Sequence, residues 1–76
     1  MNSRDLTLIA EIRRALSDGS AKRRRITSGV RQVELAAAMG VSASAVSQYE
    51  SGRRSPDAVR ALAYGKALAA AEKAAA

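Results

Sequence analysis

Residues 32–56 read QVELAAAMGVSASAVSQYESGRRSP, and the punctuation of this stretch decides the fold. Gln32 to Met39 places Leu35, Ala36 and Met39 on one stripe, the spacing of a short helix with a single buried face. Gly40 then suits the left-handed position that ends a helix and lets the chain reverse. Val41 is apolar and plugs the turn, and Ser42 is a good N-cap for the next segment. That segment, Ala43 to Ser51, turns Val46 and Tyr49 inward and Ala43, Ser44, Ser47 and Gln48 away from them. Gly52 stops it, the basic pair Arg53-Arg54 follows, and Ser55-Pro56 read as the N-cap and first-turn residue of a further helix. Ser55 is read in that way rather than as a kinase acceptor behind two arginines. Two short helices about a glycine turn meet at a steep angle, so Ala36 has to be small where the second helix passes it.

Outward from this stretch the chain stays helical. Sustained alternation is missing, and β-branched and aromatic residues are scarce, so no strand is expected. A helix is expected from about Arg4 to Ser17, with Leu6, Ile9, Ile12 and Leu16 on one side, Leu8 at its edge, and Ser3 or Asp5 at its amino end. Gly19 breaks it. A second segment runs from Ser20 to Ser28, stopped by Gly29, with Ala21 and Ile26 as its only apolar anchors. On the carboxyl side, a fifth segment starts at Pro56 and reaches about Ala74, with Val59, Leu62, Ala63 and Leu68 as its apolar side. The fold class is therefore all-α, a compact bundle of about five helices. The 76 residues allow one domain, with 4–17 as an additional N-terminal helix and 20–71 as the core.

Composition narrows the chemistry. The chain has no Cys and no His, which removes zinc fingers, thiol redox chemistry and the usual transition-metal sites, and no cofactor is expected. No nucleophile has a base beside it, and no glycine-rich phosphate loop is present, so an enzyme is poorly supported. No apolar run approaches the roughly 18 residues of a membrane span, and the amino end lacks a leader-like apolar core, so the chain is expected in the cytoplasm. Half of the apolar residues are Ala, 18 by count, which favours closely packed helices around a thin core. The formal net charge is +6, and most of it sits between Arg13 and Arg31, around Lys22-Arg23-Arg24-Arg25. Such a run is either a solvated face or a phosphate-contacting flank.

The stretch at 32–56 makes a helix-turn-helix, and it resembles the XRE-type helix-turn-helix of phage repressor and Cro-like proteins. Gln32, Leu35, Ala36, Gly40, Val41, Ser42, Val46, Ser47, Glu50, Gly52, Arg53 and Pro56 carry the resemblance. It extends more loosely from Ser20 to about Ala71, with Arg25 and Gly29 matching the end of the family's first helix. Three positions depart from the pattern. Arg31 stands where the family usually has Ser or Thr as an N-cap, Arg24 where relatives often have an aliphatic residue, and the recognition helix has Gln48 as its only long hydrogen-bonding side chain.

The resemblance implies a sequence-specific regulator that binds double-stranded DNA, in the cytoplasm of a bacterial cell and associated with its nucleoid. It implies base contacts from Ala43, Ser44, Ser47 and Gln48. Gln is able to pair bidentately with adenine, and an alanine methyl to pack on that of thymine. Phosphate contacts are implied for Gln32, Arg31, Ser42, Arg53, Arg54 and Arg25, and a structural role for Glu50, pairing with an Arg such as Arg25. A recognition helix with short side chains yields little base energy, so a homodimer on a palindromic site is expected, joined through the first helix or the stretch Val59 to Ala71. The rival reading is a protein-interaction module of the same fold, an antitoxin or adaptor, whose partner docks on the first helix.

Overall fold

A computed structural model describes residues 1–76. It has five helices, α1 (Ser3–Asp18), α2 (Ser20–Thr27), α3 (Gln32–Met39), α4 (Ala43–Ser51) and α5 (Ala58–Ala75), and no strands. α3 and α4 begin and end where the sequence pattern puts them. The signals there are local. The Ser42 hydroxyl accepts from the Ala45 N–H at 3.1 Å, and Gly40 takes φ 73°, where a Cβ would crowd the following carbonyl. The Val41 N–H then donates to the Ala36 carbonyl at 3.0 Å and closes the end of α3. Arg53 repeats this closure at the end of α4, donating to the Gln48 carbonyl at 3.0 Å.

α1 and α5 frame the remainder. They approach closely at Gly65, where an added Cβ would lie 2.9 Å from Ile12 Cγ1 and from Leu8 Cγ and Cδ1. Gly lowers helix propensity by about 1 kcal/mol relative to Ala, and the close approach of two backbones is what it allows here. α1 buries Ile9, Ile12, Ala15 and Leu16, and α5 buries Ala61, Tyr64 and Leu68 beside Gly65. Leu35, Ala36, Val46, Tyr49 and Ala21 complete one apolar cluster fed by all five helices. Tyr49 and Tyr64 are its largest fully enclosed side chains.

Several expectations are corrected. The cap of α1 is Asn2, which accepts from the Asp5 N–H at 2.9 Å, rather than Ser3 or Asp5. α5 starts at Ala58 under Asp57, which accepts from the Arg60 N–H at 2.9 Å, so neither Ser55 nor Pro56 belongs to its first turn. Pro56 is instead buried, and its carbonyl accepts from Arg13 Nη2 at 3.3 Å. Leu6, Ile26 and Val59, expected on inward faces, are 59%, 57% and 68% exposed. The inward turn of α5 is set by Tyr64 and Gly65, which rotates Val59 out. No helix is long and apolar enough to cross a membrane.

Candidate nucleic-acid interface

The two faces of α4 serve different purposes. Its last turn carries Glu50, whose side chain is 2% exposed. Each carboxylate oxygen accepts twice. Oε2 takes Arg25 Nε at 2.7 Å and the Tyr64 hydroxyl at 2.8 Å. Oε1 takes Arg25 Nη2 at 2.9 Å and Gln32 Nε2 at 3.0 Å. One carboxylate thus joins α2, α3, α4 and α5. A buried charge is tolerated only when it is paired and fully hydrogen-bonded, and no buried side-chain polar atom in the protein lacks a partner. Burial raises the Glu50 pKa, but the bonds from Arg25, Gln32 and Tyr64 outweigh it and hold it below its ordinary value. Burial and the bond to Glu50 push the Tyr64 hydroxyl well above the usual tyrosine range.

This node withdraws Arg25 from the set expected to contact phosphate. Its guanidinium is spent on Glu50 and on the Val30 carbonyl, which accepts from Nη1 at 2.8 Å. The residue is 6% exposed. Gln32 is half-buried, and one amide hydrogen is committed to Glu50. Tyr64 was missed in the sequence. The available signal was a lone phenol on an Ala-rich helix, because a tyrosine buried by its ring needs a partner for its hydroxyl.

The outward face of α4 is open. Ser44 and Ser47 are exposed, and Gln48 is half-buried. Gln48 Nε2 donates only to the Ser44 hydroxyl, at 3.4 Å, a long bond that is readily exchanged for another acceptor. Ala43 is half-buried and packs partly against the core, so its methyl is less free than the serines. Ser42 is exposed while its hydroxyl caps α4.

Arg31 occupies the N-cap position of α3, where its side chain has no acceptor to offer. Glu34 replaces it by accepting from the Arg31 N–H at 2.9 Å. That bond holds the Glu34 carboxyl below its ordinary value. The Arg31 guanidinium is 77% exposed and rests 3.3 Å from the same carboxylate. Beyond Gly52, Arg53 and Arg54 are exposed and take part in none of the four ion pairs. The basic run on α2 divides. Arg25 is internal, Arg24 pairs with Glu72, and Lys22 and Arg23 remain exposed.

The open face of α4, the capped turn before it and the free arginines after it form a contiguous polar and basic stretch of chain. The rival docking surface is differently disposed, because the apolar face of α1 is internal and only Leu6 among its large apolar residues is well exposed. The chain matches none of the curated proteins and none of the solved structures with which it was compared. Residues 22–70 match the helix-turn-helix family model, a span that takes in α3, α4, the Glu50 node and most of α5 and leaves α1 outside. The chain therefore belongs to the XRE-type helix-turn-helix family, and that membership makes it a DNA-binding transcription regulator.

Proposed function

We propose that the protein is a sequence-specific repressor of the phage or prophage repressor and Cro-like kind. It places α4 in the major groove and occupies a promoter against polymerase. The observation that carries this reading is the face formed by exposed Ser44 and Ser47 with half-buried Gln48, on a helix whose inner face is anchored through Glu50. A rigidly seated helix with an uncommitted polar face is suited to reading base edges. Gln48, with Ser44, Ser47 and the Ala43 methyl, contacts bases. Gln32, Arg31, Ser42, Arg53 and Arg54 contact phosphates on either side. Two copies bind two half-sites about one DNA turn apart, because one such helix supplies only a few base contacts.

Selection from a random duplex pool tests this reading. Enrichment of a palindrome is the expected result, and Gln48→Ala shifts the enriched sequence, while Arg53→Ala weakens all sequences alike. Arg25→Ala is the control for fold, since it loses DNA by unfolding. Salt-sensitive binding with no enriched sequence would remove the sequence-specific reading and favour a protein partner.

A further inference from the structure

We propose that the cleft between α1 and the α4–α5 connection is an additional phosphate site, through which α1 extends the DNA contact beyond the helix-turn-helix. The proposal rests on the DNA-binding reading and adds a site to it. The cleft has a volume of about 280 Å³, and Arg13, Ser17, Tyr49, Arg54, Ser55 and Pro56 line it. Arg13 and Ser17 come from α1, which lies outside the residues that the family model matches.

Its chemistry is one-sided. No carboxylate lines it. Arg24, Arg25, Arg31 and Arg60 each pair with an acid, whereas Arg13 and Arg54 do not. The Arg13 guanidinium is held by one bond to the Pro56 carbonyl, across 43 residues of sequence. That bond seats it against the connection that carries Arg53 and Arg54, and it leaves most of its donors free. The serine hydroxyls of positions 17 and 55 add donors suited to phosphate oxygens. Part of the lining is buried protein, since Leu16 and Tyr49 are 6% and 2% exposed. Charges against such a wall are screened less than charges in open water. Two like charges in one cleft repel each other until an anion neutralises them.

Position selects the source of that anion. Tyr49, Gly52 and Arg54 are the last turn of α4 and the residues just after it, so the cleft adjoins the helix that reads DNA. The occupant is therefore a backbone phosphate of the same duplex, rather than a small free anion.

The test measures binding of the full chain to mixed-sequence duplex DNA as a function of salt. Arg13→Ala is expected to weaken binding at every sequence and to reduce the magnitude of the log–log salt slope by about 0.9, the value of one phosphate contact. Arg13→Lys retains the slope, because it keeps the charge. Ser17→Glu, an exposed position that brings a carboxylate into the cleft, reduces the slope without touching the Pro56 bond, and it carries the test if Arg13→Ala fails to fold. If Arg53→Ala lowers the slope while Arg13→Ala and Ser17→Glu leave it unchanged, the cleft is not a phosphate site and the DNA-binding reading stands. A melting temperature raised by inorganic phosphate, with DNA binding indifferent to both variants, identifies a small-anion site and overturns the proposal. A wild-type chain without salt-dependent duplex binding overturns both.

Discussion

Arg24 and Arg25 are neighbours on α2, and each grips a distant glutamate with two parallel bonds. Arg24 holds Glu72 at 2.8 and 2.7 Å, and Arg25 holds Glu50 at 2.7 and 2.9 Å. The bonding is nearly the same, but the surroundings differ. The side chains of the first pair are 42% and 36% exposed, and those of the second 8% and 2%. The outer pair ties α2 to the end of α5 in water. The inner one is the electrostatic centre of the fold, with Tyr64 and Gln32 completing it. Burial, more than bond length, decides what an ion pair contributes. It also decides which arginines a DNA-binding protein has left for phosphate. Arg25 is consumed by the fold, while Arg53 and Arg54 remain free.

The largest test of this contrast is Glu50→Ala. It leaves the Arg25 charge buried without a counter-charge and orphans two further donors, so a loss of about 3–5 kcal/mol is expected. For a domain of this size that approaches the whole stability. Chemical denaturation measures it, and a loss below about 1 kcal/mol would end the distinction between the two pairs.

Acid applies the same perturbation gradually. The Glu50 carboxyl is held below its ordinary value of 4.5 in the folded state. Its stabilisation is therefore complete above that value and disappears as pH falls through the folded value. Melting temperature followed from pH 6 to pH 2, about the range in which carboxylates titrate, should fall on the acid side. Glu50→Gln removes this component, and Glu72→Gln leaves most of it.

Tyr64→Phe sharpens the comparison by keeping the packing and deleting one bond to the charge. A loss of about 1.5–3 kcal/mol is expected from equilibrium unfolding. A neutral result would mean that Arg25 and Gln32 alone satisfy the carboxylate.

Glu72→Ala is the smallest change, about 0.2–1 kcal/mol, and smaller still in high salt because the pair is screened. A loss comparable to that of Glu50→Ala would show that the end of α5 is more deeply involved in the fold than its exposure suggests.

The part of the fold that was legible in the sequence is the part written in local signals. Gly40, Ser42 and Gly52 act within a turn or two of their own positions, through a left-handed backbone or a hydroxyl that caps an adjacent N–H. The bounds of α3 and α4 follow from them, and so does the outward set Ser44, Ser47 and Gln48. The candidate site was legible to the same depth. The expected phosphate set was less so, because burial commits Arg25 to Glu50 and turns Gln32 partly toward the same carboxylate.

The sequence by itself determined an all-helical chain, its glycine-punctuated motif and the family to which it belongs. Tertiary structure decided what local signals leave degenerate. Ser55 and Asp57 are equally good caps by residue type, and the bond from Arg13 to the Pro56 carbonyl and the burial of that proline accompany the choice of Asp57. An Ala-rich helix is apolar on every side, so its pattern does not say which side faces in. Contact of Gly65 with Leu8 and Ile12 turned α5 and left Val59 in water. The partners of Glu50 lie 14 to 25 residues away along the chain. Folding has to bring them to the carboxylate as it excludes water there, because an unmatched charge is too costly to bury.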